Sequence, residues 1–412
     1  MQSGGWRVTQ QDAAGPDLEE FTEDSALTPP KRAGARRHDP LDGDHYEEEG
    51  AALCLSGGGL KAAMFHVGGL IRLNELGLLR TLRRVCSVSG GSITGAYLGM
   101  KWTDLDWDTN GRAQKLDDEV VRPLVRFCLK GIERGPLIED LLSPFSTVSE
   151  GLIRAYRDDL FKDATLQSFP DEGPGAPGFF ITAANLQLNT LWRMSKGYVA
   201  DYRVGRINRP AIPLAVAVAA SSAYPPYYSP VVLDLSAYRV ESMGGVDRNF
   251  RPFNRQAEMG DGGLYDNLAL EPAWKRFGTL LVSNAGAPFP ELEHAPRDWP
   301  RQVLRSIAMV HRQAENNRVR WLMAMARGKE RKVAYWTVRN SVASYQQEGK
   351  PTLLSLGPED TYAAAVELGT LQALGRPAMV RLVHHGYAMA NAAAVRWLGA
   401  GDKPEARFAE VA

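Results

Sequence analysis

Three short segments hold groups that could do chemistry. The stretch Val85–Tyr97, VCSVSGGSITGAY, presents Ser89 between Ser87, Gly90 and Gly91. Small flanking residues suit a tight strand-to-helix turn, where the backbone is strained and side chains two residues away crowd together. Gly90 adds an unhindered N–H directly after Ser89. Such a turn can expose a nucleophile, but a solvated polar turn gives the same string, and S-x-S-x-G alone does not separate them. The second segment is Ser56-Gly57-Gly58-Gly59. Consecutive glycines admit positive φ and close approach to a ligand, and a following helix turns its positive end to the same spot. That suits an anion, either a phosphate or a developing oxyanion. The third is MGDGGLYDN, Met259–Asn267, with Asp261 set on glycines. Alone, D-G-G most often marks a turn.

A serine hydroxyl at neutral pH is a poor nucleophile and needs a base. The seven histidines are His38, His45, His66, His294, His311, His384 and His385, and none sits in a glycine-rich turn. They read as surface or packed residues, which leaves a carboxylate, Asp261, as the base to consider. The glycine loop has two phosphate readings as well. The P-loop spacing is absent. Gly57, Gly59 and Ala62 match G-x-G-x-x-A, but the second strand ends Ser87-Val88-Ser89, without the carboxylate a dinucleotide ribose requires.

The elements that must position these groups follow from pattern. Ala51–Leu55 is a short apolar run ended by glycines, a buried strand. Leu60, Met64, Val67, Leu70, Ile71, Leu73 and Leu76 recur at helical spacing, with Gly77 as a helix stop. LRRVCSV reads as a second strand and GGSITGAYLGM as a second helix. Strand, helix, strand, helix implies a parallel sheet with right-handed crossovers. Phe179–Leu186 and Thr279–Gly286 are further strands, and IPLAVAVAASSA, rich in alanine, is a buried helix. Residues 102–160 read as a helical insertion. A long amphipathic helix, interrupted along its length, runs from Asp298, and a last helical region covers Tyr362–Leu398.

Composition bounds the function. The chain has 412 residues, 44% of them hydrophobic, and a formal net charge of +0, so global charge does not call for nucleic acid. Three cysteines do not make a disulfide framework, and no Cys/His cluster has zinc spacing. Cys54 and Cys86 read as small buried hydrophobes of a reducing compartment. The first residues do not read as a signal peptide, and no apolar stretch approaches the roughly 20 residues of a membrane span. The expectation is a soluble cytoplasmic protein able to visit a membrane surface, with neither metal nor cofactor.

The three segments in this order, with Ala219–Val231 (AASSAYPPYYSPV) before the aspartate, resemble the patatin-like phospholipase family over about residues 51–290. Two positions depart from the family pattern: Ser56 stands where the loop usually begins with Asp, and Ser87 where the elbow usually has Gly. The resemblance implies a three-layer α/β/α fold with a mostly parallel sheet over that range; outside it, pattern gives a helical extension over 291–412 and composition a polar, disordered arm at 1–50. It implies a Ser–Asp dyad: Ser89 as nucleophile, Asp261 as base, and an oxyanion hole from Gly57, Gly58 and Gly59. Acyl groups of a lipid ester would pass through Ser89 to water. An Asp with a pKa of about 3.9 is a feeble base, and desolvation in a closed apolar site would strengthen it. Two alternatives stand beside this. One is a Ser89 triad with a late histidine such as His384; the other is a catalytically silent or ligand-gated lipid-binding member. Finally, Arg301–Lys332 carries Arg301, Arg305, Arg312, Arg318, Arg320, Arg327, Lys329, Arg331 and Lys332 against Glu315 and Glu330. It reads either as a solvated outer face or as a dock for anionic lipid headgroups.

Overall fold

The alternation of strand and helix expected after Ala51 is the frame of the fold. A computed structural model describes residues 37–39, 43–45, 48–132, 147–243, 246–289, 291–346 and 373–401. Two short strands, β1 (Arg37–Asp39) and β2 (Gly43–His45), pair antiparallel inside the expected polar arm. Residues 1–36 of that arm lie outside the described residues. Then come β3 (Glu48–Leu55), α1 (Gly59–Glu75), β4 (Leu82–Val88) and α2 (Gly90–Lys101), close to the expected bounds. The insertion contributes α3 (Arg122–Lys130) and α4 (Val148–Tyr156); its residues 133–146 are outside the description. Next are β5 (Gly178–Asn185), β6 (Thr190–Met194), β7 (Tyr198–Asp201), β8 (Gly205–Asn208), α5 (Leu214–Ser222), β9 (Val231–Asp234) and β10 (Gln256–Asp261). The short α6 (Gly263–Asp266), β11 (Phe277–Asn284), α7 (Trp299–Arg327), β12 (Lys332–Thr337) and α8 (Arg376–Ala393) follow.

Ten strands form one sheet, in the order β12-β11-β3-β4-β5-β6-β7-β8, with β10 and β9 attached beside β5. The five strands from β12 to β5 are mutually parallel. The parallel expectation holds for this half; β6, β7 and β8 continue as an antiparallel meander. Alternate side chains separate two cores. Leu53, Leu55, Val85 and Leu281 join the cluster that packs α1, α2 and α8, while Ala52, Cys54, Cys86, Val88 and Val282 join a second with Leu322 and Met325 of α7. Helices therefore cover both faces, as a sheet buried on both sides requires. All three cysteines are buried and free.

Two expectations for the C-terminal region change. Residues 332–337, inside the expected helical extension, are β12, hydrogen-bonded along β11, so this region supplies a strand of the central sheet as well as helices. The long helix is unbroken from Trp299 to Arg327. Of the last helical region, residues 373–401 are described, with α8 followed by one π-type turn to Leu398.

One detail of register places the site. β4 runs parallel to β5 and pairs with its first half, ending at Val88 opposite Thr182. β10 runs antiparallel to β5 and pairs with its second half, ending at Asp261 opposite Ala183. The two strands approach each other end to end along the same edge of β5. The residue after Val88 and the last residue of β10 are delivered to one point.

Candidate active site

Ser89 occupies the turn between β4 and α2 with φ 52° and ψ −125°, a region that L-residues avoid. Such strain persists only where the surroundings over-determine it. Here the Ser89 N–H donates to Ser221 Oγ at 2.8 Å, and Ser221 Oγ donates to the Thr182 carbonyl at 2.7 Å. Ser87 Oγ donates to the Phe180 carbonyl at 3.2 Å and accepts from Ser92 Oγ at 3.2 Å. Ser87 therefore does more than fit by size: its hydroxyl ties the elbow to β5. Ser221, the third residue of AASSAYPP, is the other tie. Gly90 lies against the glycine loop, where an added Cβ would stand 2.1 Å from the Gly59 carbonyl oxygen. The first residues of α1 and α2 thus abut, bringing two positive helix ends to Ser89.

Asp261 is 4% exposed. Its carboxylate accepts the Gly263 N–H at 2.7 Å, and the Ser89 hydroxyl beside it favours the charged form. Burial outweighs both influences and raises its pKa to about 6. The turn beyond it is braced by Asp266, which accepts N–H groups of Leu268, Leu270 and Glu271 and faces Arg318 of α7 at 3.5 Å.

The glycine loop is pinned from both ends. Ser56 Oγ accepts the Ala285 N–H at 2.7 Å. His66 is buried and neutral, its pKa lowered to about 4 by desolvation. Its Nε2 lies 2.9 Å from the Ser56 carbonyl, so this nitrogen carries the proton and Nδ1 accepts from Ser283 Oγ at 2.8 Å. Gly57 departs from its expected role, because its N–H is spent on the Asn267 carbonyl at 3.1 Å. Gly58 has φ 143° and would place a Cβ 2.7 Å from the Ala285 carbonyl oxygen, so only glycine fits. The N–H groups of Gly58 and Gly59, at the start of α1, have no acceptor among the described residues.

These groups open into a cavity of about 250 Å³ walled by Gly58, Gly59, Ser89, Asp261, Tyr224, Tyr228 and Phe289. α7 lines it too, contributing Ala308, His311, Arg312 and Glu315. Among the described residues, His311 is the histidine that lines the cavity. Its Nε2 donates to the Gly263 carbonyl at 2.8 Å, and burial lowers its pKa. No hydrogen bond joins it to Ser89 or Asp261 among the described residues. His384 and His385 are elsewhere: neither lines the cavity, and His385 bonds the Val338 carbonyl at 3.1 Å.

The family model for patatin-like phospholipase matches residues 53–274, more than half of the chain. The chain belongs to the patatin-like phospholipase family. The match includes the glycine loop, the elbow and Asp261. Among solved structures, human GIVD cytosolic phospholipase A2 in complex with methyl gamma-linolenyl fluorophosphonate is 14% identical, with a TM-score of 0.43, over 87% of this chain and 62% of that one. VipD from Legionella pneumophila is 15% identical, with a TM-score of 0.34, over 85% and 67%. ExoU of Pseudomonas aeruginosa, solved with SpcU, is 14% identical, with a TM-score of 0.25, over 95% and 85%. The chain spans less than two thirds of the human protein's length. No curated protein matches it significantly.

The sequence reading missed Asn267, His311, Arg312 and Glu315 as members of the site. Asn267 lies inside the third segment, and its spacing from Asp261 was there to be weighed. The α7 residues gave no signal, because a helix read by its total charge does not disclose which face meets the cavity.

Proposed function

We propose that the protein is a serine acyl hydrolase acting on lipid esters through Ser89 and Asp261. The observation that carries this is the delivery of Ser89 and a buried carboxylate to one point, beside two unengaged amides and inside a partly apolar cavity. Ser89 Oγ attacks the acyl carbonyl carbon while its proton moves to Asp261. The carbonyl oxygen becomes an oxyanion held by the Gly58 and Gly59 N–H groups and the positive end of α1. Collapse expels the alcohol, which takes the proton back from Asp261 and leaves an acyl-Ser89 ester. Water then gives a proton to Asp261, adds to the ester, and releases the fatty acid as Ser89 is restored. With a pKa of about 6, Asp261 is ionised at neutral pH and still basic enough to accept a proton. Membership of the patatin-like phospholipase family supports the same substrate class.

A fluorophosphonate probe tests the dyad. Labelling of the wild type, lost in Ser89→Ala and in Asp261→Asn but kept in His384→Ala and His385→Ala, is the expected pattern. Labelling that depends on either late histidine would replace the dyad with a triad.

The same reading brings the protein to a lipid surface through α7, though not by the route its charge suggests. Arg312, Arg318 and Arg331 bond inward, to Glu315, to Glu271 and Tyr265, and to Trp274. Trp299, Val303, Ile307 and Val310 recur at i, i+4, i+8 and i+11, and all are exposed. They form a stripe within about 80° of one another, on the side of the helix away from Ala308, Arg312 and Glu315. Apolar insertion should therefore dominate. Vesicle sedimentation should fall sharply for Trp299→Ala with Ile307→Asp and change little with salt. Binding that is abolished by salt and indifferent to this pair would refute the contact. Among the described residues, no helix is long and apolar enough to cross a membrane.

A further inference from the structure

The cavity that holds Ser89 is also lined by an ion cluster with more positive than negative charge. Glu315, 3% exposed, accepts four donors: Arg312 Nη1 at 3.0 Å, Arg339 Nη2 at 2.6 Å and Asn284 Nδ2 at 2.9 Å on Oε1, and Asn267 Nδ2 at 3.0 Å on Oε2. One carboxylate thus serves two guanidinium groups. Arg339 does not line the cavity, whereas Arg312 does. A guanidinium has five N–H donors, and Glu315 is the one acceptor found for Arg312 among the described residues. The neighbouring His311 is held neutral by burial and turns its Nε2 proton to the Gly263 carbonyl. Arg312 is therefore the cation of the cavity, fixed at one nitrogen and open at the others.

We infer that Arg312, oriented by Glu315, is a specificity-determining residue that receives the phosphate of the substrate, so that the site selects acyl esters carrying a phosphate over neutral acylglycerols. This rests on the acyl-hydrolase reading and deepens it. Two fixed points define the substrate. An ester carbonyl must lie at Ser89 and the Gly58 and Gly59 amides, and an anion is favoured in the same cavity at Arg312. A glycerol ester with a phosphate on the same glycerol carries both groups. A neutral glyceride of the same chain length would leave a mostly buried guanidinium without its second partner, which costs more than the lost contact alone. The planar fork suits phosphate oxygens better than an ammonium would. Glu315 is the positioning residue: because it also holds Asn267, whose carbonyl takes the Gly57 N–H, the anion site and the glycine loop share one anchor.

The test uses two substrates with the same acyl chain that differ in one group, lysophosphatidate and monoacylglycerol, in mixed detergent micelles. The readout is the ratio of their kcat/KM values in the full-length protein. Wild type should prefer lysophosphatidate. Arg312→Gln, which leaves Glu315 three of its donors, should reduce that ratio on the order of 10- to 100-fold, the scale of a lost hydrogen bond to a charged group. Arg312→Lys should recover part of it. A ratio unchanged in Arg312→Gln overturns the proposal even if both rates fall, since that is the behaviour of a merely structural arginine. A second arm is independent of catalysis: calorimetric titration of the same two lipids into Ser89→Ala and into Ser89→Ala with Arg312→Gln. Loss of the lysophosphatidate preference on removing Arg312 supports the assignment, and equal binding in both proteins refutes it. If wild type hydrolyses neither lipid and takes no fluorophosphonate label, the dyad reading falls, and the titration still decides the role of Arg312.

Discussion

Ser89 and Asp261 reach the same point by opposite physical means. Ser89 is set by backbone: a positive φ on a non-glycine residue, held by Ser221 and by the Gly59–Gly90 contact. Its side chain gains orientation but no acidity from this. Asp261 ends a regular strand without such strain, and its special property lies in solvation, a buried carboxyl with its pKa raised to about 6. Desolvation makes it a better base without aiming it at anything. On the proposed dyad, one turn supplies direction and the other basicity, and neither would act alone. This explains why S-x-S-x-G and D-G-G are weak signals singly and informative together.

The contrast can be broken most forcefully through activity. Ser89→Ala should remove ester hydrolysis altogether. Asp261→Asn keeps a hydrogen-bond partner of the same size but no base, and should cost roughly 100- to 10,000-fold in kcat. A loss of less than about tenfold would show that the base lies elsewhere. Next comes the pH profile. Asp261 works ionised, so kcat/KM should fall about tenfold per unit below a midpoint near pH 6, and a midpoint near 4 would show that the carboxyl is solvated.

Smaller effects appear in stability. The folded pKa of Asp261 lies above its ordinary 3.8, so the folded state holds this proton more tightly, and stability declines as pH rises from about 4 to about 6. Asp261→Asn should therefore stabilise the fold at pH 7.5 by about 2–3 kcal/mol and by nothing at pH 3.5, measured by denaturant unfolding. A gain that does not vary with pH would exclude desolvation as its source. Smallest is the backbone contribution: Ser89→Gly should be more stable than Ser89→Ala by about 1–2 kcal/mol, because glycine adopts positive φ freely. Equal stability would mean that the elbow is not strained.

The sequence disclosed the parts of the molecule whose chemistry is local. Glycine runs, small elbow residues and the first βαβα alternation are written in consecutive positions, and Ser56, Ser89 and Asp261 could be picked from them. What depends on distant partners was less visible. KVAYWT begins with a lysine, separated by residues 328–331 from a basic helix, and only pairing with β11 makes it a strand. The short β6, β7 and β8 draw their order from neighbouring strands more than from their own residues. Arg312 and Glu315 looked like members of a solvated charge stripe, since their burial is set by what α7 crosses. α7 also inverts the usual amphipathic rule over its first turns, with apolar residues outward and ionic ones toward the cavity.

The end-to-end meeting of β4 and β10 along β5 has a consequence for the order in which the chain is made. Ser89 leaves the ribosome long before Asp261 is translated, and β3, β4 and β5 can already pair by then. Until β10 adds to the free second half of β5, the serine has an oriented hydroxyl and no base. On the proposed dyad, acyl transfer would be switched on only by the closing of the sheet, and a chain ending before β10 would have the serine without its base.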